Sequence, residues 1–343
     1  MMDADNAINP SQVTVVTVTY GDRRHLLEPV LRAALAQEVG KIIVVNNGTS
    51  WNVDALANAM GSKVIVLNMD GNVGSAGGYS EGIALAMETE CKAIWLLDDD
   101  NLPKADCLKE LLHATNLADS EKFVALAARP RFIANLTAFA TKESFAKKSN
   151  YFLGFHVLEI PAKLKKLFTR SQPRNISTHC ADINICIAPY GGMLFHKSLP
   201  YDIGLPKAEL CLYADDSEYA WRMVHSSYSI RLICSAVVDD LDNWEHTFHR
   251  KFGITAWLDA PTFRLYYGMR NHIWFAFYRV CKNKMLFLFN GLIFFIILVS
   301  LGALQGKYRV ITTIYDAAHD GLSSDLGENH KYLLPGNETK NRP

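Results

Sequence analysis

Charge of one sign is missing from this chain: its 343 residues carry 35 Lys and Arg against 35 Asp and Glu. With no basic surplus there is no electrostatic footprint for nucleic acid, and that class of partner is set aside. Cysteine is sparse and dispersed. The seven residues include no CxxC pair, and the closest two are Cys180 and Cys186. That pattern argues against a zinc knuckle or a disulfide framework and fits reduced thiols in a cytosolic catalytic region. The opening MMDADNAINPSQ lacks the basic start and apolar stretch of a secretory signal, so it reads as a polar tail over residues 1–12. Internal repeats, low-complexity tracts and the GxGxxG dinucleotide fingerprint are absent as well, which weakens the case for a nicotinamide-dependent oxidoreductase.

What is present is apolar and alternating. About half of the residues are hydrophobic, enough for one large α/β domain with an appendage. VTVVTVTY, KIIVVNNGTS, KVIVLN and KAIWLL read as short buried strands. HLLEPVLRAALAQ, NVDALANAM and SAGGYSEGIALAMETE fall between them with helical spacing, and Pro29 must sit in the first turn of its helix or kink it. Such alternation implies βαβ units and a mostly parallel sheet. Strand-like pieces recur at FVALAARPRFI and STHCADINICIAPYGGMLF, and DDSEYAWRMVHS reads as a helix. Thr141–Asn150 and Lys163–Asn175 look like exposed loops. One large α/β domain is expected over 13–250, followed by a helical region over 251–343. Within the latter, residues 285–304 form a run of twenty without a charge, with basic residues at both ends. That length suits a bilayer span or a helix lying in the membrane surface.

Asp98, Asp99 and Asp100 stand directly after the apolar AIWLL. In an open α/β sheet, ligands bind outside the carboxyl ends of the strands. Residues two apart in an extended or turning backbone can face the same way, so Asp98 and Asp100 can share one ligand with Asp99 turned aside. A hard divalent cation with its own phosphate partner would relieve their repulsion. Asn72, Gly74, Gly77, Gly78 and Gly82 stand between a strand and a helix, where glycine lets backbone N–H groups approach a phosphate or ribose. A second acidic pair, Asp215 and Asp216, opens a helix. Asp215 with Glu218 three residues on reads as a capping box, and Asp216 remains as a candidate base for an acceptor hydroxyl. His246, with His249 as its rival, is the candidate to complete a metal's shell.

The order TY, VNNGTS, NVGSAGG, LLDDDNLP, GLP…ADDSEYAWR, WEHTF and YYGMRN resembles the family 2 inverting glycosyltransferases of GT-A fold. Within these it looks most like bacterial galactofuranosyltransferases of polysaccharide synthesis; related rhamnosyltransferases tend to carry glutamine in the middle of the aspartate triplet. The likeness covers about Val13 to Asn271. It implies Thr19, Tyr20 and Asn46 near uridine, and Asn72 and Gly74 in the nucleotide pocket. Asp98, Asp100 and His246 become metal ligands, Asp99 and Asp215 join the substrate-binding set, and Asp216 is the catalytic base. It also implies a divalent cation (Mn²⁺ or Mg²⁺), a UDP-sugar donor such as UDP-galactofuranose, and a lipid-linked or polysaccharide acceptor. The place of work would be the cytoplasmic face of the inner membrane. A non-catalytic sugar-nucleotide-binding subunit of a glycan assembly complex is the alternative from another class.

Overall fold

The β-branched run VTVVTVTYG forms β1 (Val13–Gly21), which anchors the sheet of a computed structural model describing residues 7–118, 120–130, 133, 141–161, 182–242 and 260–337. Parallel ladders join β1 to β2 (Lys41–Thr49) and to β4 (Ala93–Asp98), and β2 to β3 (Val64–Asn68). The sheet then turns mixed. β8 (Met193–His196) runs antiparallel between β4 and β6 (Phe123–Ala128), and β9 (Ser229–Asp240) is parallel to β6. Short β5 (Asn101–Pro103) and β7 (Ile183–Ile185) pair antiparallel with β9. The order is β3-β2-β1-β4-β8-β6-β9-β5. The expected α/β sheet flanked by helices forms, but it is mixed rather than mostly parallel, with four parallel and four antiparallel pairings among the described strands, and the carboxyl ends of β1, β2 and β4 open on one side.

Both sheet faces are covered because the strands are apolar on both sides, as parallel strands must be. On one face lie α1 (Arg24–Leu35), α2 (Val53–Met60) and α4 (Cys107–Ala118), through Leu27, Leu31, Leu56, Leu108 and Leu111. On the other lie α3 (Gly74–Glu88) and a helix over Asp215–His225, through Tyr79, Ile83, Tyr219 and Met223. A Cβ at Gly78 or Gly82 would collide with Val18, Val16 and Val45, so glycine lets α3 lie directly on β1 and β2. Pro29 sits inside α1 rather than in its first turn. The segment read as a loop at Thr141–Asn150 holds a short helix, α5 (Lys142–Lys147), started by the Thr141 side chain. The second expected loop, Lys163–Asn175, lies outside the described residues. A further short helix, α6 (Leu199–Ile203), precedes the Asp215–His225 helix, which is α7.

The N-terminal stretch is not all tail, since Ile8 is buried and its backbone pairs with the Asn116 side chain in α4. Cys234 is disulfide-bonded, which departs from reduced thiols throughout, whereas Cys91, Cys107, Cys211 and Cys281 are free.

The C-terminal region forms a third core. Helices α8 (Thr262–Phe275), α9 (Lys284–Leu304) and α10 (Tyr308–Ser323) pack around Tyr266, Met269, Ile273, Phe287, Phe294, Leu298 and Ile314. Phe152 and Phe155 enter this core from the transferase body. The apolar run predicted at 285–304 is thus helical, but only one stripe of it faces outward.

Candidate active site

A cavity of about 230 Å³ opens at the carboxyl ends of β1 and β4. Its wall includes Tyr20, Arg23, Asn47, Asn72, Gly74, Ser75, Tyr79, Asp98, Asp99, Asp100, Arg129, Asp240 and Asp242. The carboxylate triplet is there because β4 ends at Asp98 and the chain turns sharply into β5. The three side chains have different partners. Asp98 accepts from the Tyr79 hydroxyl at 2.8 Å and lies 3.8 Å from Arg129. Asp99 is turned aside and buried, accepting from Thr19 at 2.8 Å and from Arg23 Nε at 2.9 Å. Asp100 accepts from Arg23 Nη2 at 3.1 Å and from Asn101 at 3.2 Å.

Arg23 therefore gathers three carboxylates, since its Nη1 also donates to Asp242 at 3.0 Å. Arg129 clasps Asp240, with Nε at 2.8 Å, and Asn101 donates to the same oxygen at 3.0 Å. The other oxygen of Asp240 is buried without a hydrogen-bond partner among the described residues. Burial and the repulsion of Asp98 and Asp99 push Asp100 up to about 7. Two cavity-facing carboxylates that favour extra positive charge, beside an orphaned carboxylate oxygen, form an oxygen-donor set that fits a hard divalent cation. Among the described residues, however, no group of three or more His, Cys, Asp or Glu side chains could hold a metal by itself. The expected third ligand, His246, and its rival His249 lie outside the described residues.

The second acidic pair departs from the sequence reading in one respect. Helix α7 begins at Asp215 itself, and the preceding residue, Ala214, is left-handed and makes no side-chain cap. Asp215 is thus not an N-cap, and Glu218 is engaged elsewhere, paired with Arg222 and Arg279. Asp215 is buried and accepts instead from Ser75 of α3 at 3.1 Å. Burial, then the neighbouring charge of Asp216, push Asp215 up to about 8. Asp216 is half-buried, and burial raises it too, with the charge of Asp98 acting in the same direction. The loop before the pair is held by Gly74, whose positive φ and missing Cβ let Cys211 approach; Ala76 N–H donates to the Cys211 carbonyl at 3.1 Å. That contact holds the loop before α7 against the start of α3, whose Gly74, Ser75 and Tyr79 line the cavity.

The structure divides the other expected residues. Tyr20, Asn72 and Gly74 are in the wall. Thr19 lies behind it, holding Asp99. Asn46 is outside the wall, with its amide donating to Asn68 at 2.7 Å. The wall residue from β2 is Asn47, which donates to Asn72 and to the Gly74 carbonyl at 3.2 and 3.0 Å and accepts from Val73 N–H at 2.8 Å. The period-2 alternation of a strand separates Asn46 from Asn47, and two adjacent asparagines hid which one turns inward. Arg23, Ser75 and Arg129 were also missed, residue types whose meaning depends on long-range pairing, while Asp240 and Asp242, in the wall, are among the carboxylates the sequence offers next after Asp216. Phe263, Arg264, Leu334 and Pro335 from the C-terminal region line the cavity as well, although the sequence suggested only membrane contact there.

No curated protein matches the chain. A crystal structure of GalNAc-T7 with UDP, GalNAc and Mn²⁺ is similar at a TM-score of 0.49 and 9% identity, covering 69% of this chain and 44% of that one. The chain thus spans less than half the length of that protein. The profile of glycosyl transferase family 2 matches residues 14–185, half of the chain and all of the strand–helix alternation that carries the aspartate triplet. The chain belongs to glycosyl transferase family 2.

Proposed function

We propose that the protein is a metal-dependent inverting glycosyltransferase. It moves a sugar, with galactofuranose from UDP-galactofuranose as first choice, onto a hydroxyl of a lipid-linked or polysaccharide acceptor in cell-surface glycan synthesis. The observation that carries this reading is the presence of two unlike acidic groups beside one cavity. Asp98–Asp100 line the cavity, whereas Asp215 and Asp216 lie behind its wall, Asp215 joined to the lining residue Ser75 by a hydrogen bond at 3.1 Å.

Asp98 and Asp100 would hold the divalent cation, Mn²⁺ or Mg²⁺, which when bound supplies positive charge to the departing diphosphate. Arg23 and Thr19 fix Asp99 and so hold the triplet's backbone in place. Tyr79 orients Asp98 through its hydroxyl. Tyr20 offers a phenol group to a nucleoside, and Asn47 and Asn72, whose amides bond to one another, to Gly74 and to Pro335, shape the wall beside it. Asp216 takes the acceptor hydroxyl's proton at a carboxylate oxygen as the hydroxyl oxygen bonds to the anomeric carbon and the bond from that carbon to the diphosphate breaks. Burial and the charge of Asp216 push its neighbour Asp215 up to about 8, and burial raises Asp216 as well, so the two carboxyl groups titrate as a pair. A single displacement inverts the anomeric configuration, through an oxocarbenium-like transition state as in glycoside hydrolysis.

A membrane surface fits the C-terminal helices. On α9 the exposed stripe Met285, Phe289, Leu292, Ile296 and Val299 backs onto the buried Phe287, Gly291, Phe294 and Leu298. Asn290 of the buried face is tied to the transferase body, accepting from Val157 N–H and donating to the Asn150 carbonyl at 2.9 and 3.0 Å. A helix fastened along its length to a polar body favours lying in one leaflet over crossing two. From residue 260 to 315 there is no Asp or Glu, while Arg279, Lys282, Lys284, Lys307 and Arg309 flank the stripe, as an anionic cytoplasmic leaflet would select. The deciding experiment is a panel of sugar nucleotides with Mn²⁺ or Mg²⁺, scored for release of the nucleotide. Turnover with UDP-galactofuranose is expected; turnover only with another donor would remove galactofuranose, and binding of UDP without turnover on any acceptor would favour a non-catalytic subunit.

A further inference from the structure

We infer that the chain end, residues 328–337, is a wall of the donor pocket, and that Asn337 is a positioning residue for Asn72. This rests on the reading of the cavity as a nucleotide-sugar site and adds a specificity element to it. The main observation is a reciprocal amide pair between residues 265 apart in sequence. Asn72 N–H donates to Asn337 Oδ1 at 3.1 Å, and Asn337 Nδ2 donates to the Asn72 carbonyl at 2.8 Å. The Asn72 side-chain amide donates to the Pro335 carbonyl at 2.9 Å. With those groups engaged, Asn72 Oδ1 is left to accept from Asn47 and from Gly74 N–H, which sets the strand-to-helix turn where α3 begins. Both asparagines are buried, so losing one partner strands polar groups away from water.

The same segment supplies surface to the cavity. Leu334 and Pro335 line it beside Asn47 and Asn72, giving an apolar plate next to amide groups. That combination suits a planar heterocycle with polar edges, the base of a nucleoside, better than it suits a diphosphate. The segment is anchored at its near end. Tyr332 stacks on Tyr266 of α8 with ring centroids 4.2 Å apart, and its hydroxyl donates to Asp316 of α10 at 2.6 Å. Arg270 of α8, fully buried, donates to the Gly327 carbonyl at 2.6 Å. The helices that carry the exposed apolar stripe and the wall of the donor pocket are thus one packed body. Removing the C-terminal region to gain solubility would remove part of the donor site with it.

The test uses the full chain and UDP with Mn²⁺, by calorimetric titration of the wild type, Asn337→Ala and Leu334→Ala. Each variant should weaken UDP binding about 10-fold, the size of one or two lost contacts, while kcat at saturating donor stays close to wild type. A rise in KM without a fall in kcat marks a donor-binding wall; a general loss of structure would lower both. Hydrogen exchange on the wild type needs no variant: UDP should slow exchange of the amides between residues 330 and 337. Unchanged UDP affinity in both variants, or exchange in that segment indifferent to UDP, overturns the inference while leaving the glycosyltransferase reading intact. A wild type that binds no UDP at all overturns both.

Discussion

The acidic cluster that lines the cavity and the acidic pair behind its wall have different partners. Asp98–Asp100 carry their cations with them: Arg23 reaches Asp99 and Asp100, and Arg129 approaches Asp98. At Asp215–Asp216, no ion pair forms among the described residues. The pair has a serine hydroxyl, a backbone N–H and the distant pull of His272 on Asp216. A carboxylate with arginine behind it stays available for charge-on-charge binding of a cation and a diphosphate. A buried carboxylate pair without arginine is pushed toward protonation, which makes it a stronger base near neutral pH. Burial raises carboxyl groups in both places, Asp100 to about 7 and Asp215 to about 8, so what separates the two runs of aspartates is their guanidinium partners. The difference comes from which element brings a guanidinium within reach.

The sharpest way to break that comparison is to remove a single proton-accepting oxygen. Asp216→Asn should fold, bind UDP as tightly as wild type, and lose about 10²–10⁴-fold in kcat, because asparagine keeps the shape but cannot take a proton. Asp215→Asn should cost less activity and raise the melting temperature at alkaline pH, since it removes a buried charge that no cation compensates. Turnover, UDP affinity and melting temperature would be measured on both. Wild-type turnover in Asp216→Asn removes the base assignment, and Asp240 and Asp242 become the next carboxylates to substitute.

The arginine-backed cluster predicts a different failure. Chelation with excess EDTA should abolish turnover, and Asp100→Ala should lose roughly 10²-fold because diphosphate charge goes uncompensated in the transition state. Mn²⁺ titration followed by the paramagnetic signal of the free ion should show weakened binding in Asp100→Ala. Full activity in EDTA would end the cation reading and leave Arg23 and Arg129 as the sole neutralising groups.

Much of this cluster was legible before folding. A buried apolar strand, an aspartate triplet and a strand end are adjacent in sequence, so Asp98, Asp99 and Asp100 could be placed at the strand's carboxyl end from one short stretch. The strand–helix alternation likewise follows from local pattern. Arg23 and Arg129 could not be read, because an arginine's partner 76 or 219 residues away is fixed only by sheet order. The capping box at Asp215 misled for a related reason: its spacing is right, but Ala214 takes the left-handed cap position and Ser75, 140 residues distant, takes the carboxylate. The cavity wall from Leu334 and Pro335 was hidden behind the composition of the neighbouring helices, which points only to a membrane.

Raised carboxyl groups also predict opposite pH trends for stability and activity. Asp100 at about 7 and Asp215 at about 8 both lie above the ordinary value of 3.8, so the folded state holds their protons more tightly than the unfolded chain. Their contribution to stability is complete below the unfolded value and is lost as pH rises through 7 to 8. Metal-free protein should therefore melt at progressively lower temperature across that interval. On its acid limb kcat/KM should rise with pH, by up to about 10-fold per pH unit, because the base must be unprotonated. Asp216→Asn should flatten that limb. A melting temperature that climbs from pH 6 to about pH 8.5 in metal-free protein would contradict the burial argument.

The smallest expected effect on chemistry, and a useful contrast to the cavity, belongs to the exposed stripe of α9. Leu292 and Ile296 point away from the C-terminal core and line neither acidic cluster. Leu292→Glu combined with Ile296→Glu places two negative charges on the face that would enter the lipid, each opposed by the apolar phase and by an anionic leaflet. Flotation with vesicles rich in anionic lipid should show the wild type bound and the double variant largely free, an expected drop of about 10-fold or more in partitioning. Turnover on a short soluble acceptor should stay within about twofold of wild type, since surface substitutions remote from a site change little. High salt should weaken wild-type binding only in part, because the apolar stripe remains when the flanking cations are screened. Equal flotation of the variant would show that the stripe is not the membrane face. A parallel loss of soluble-acceptor turnover would show instead that α9 bears on the cavity through the body it shares with Leu334 and Pro335.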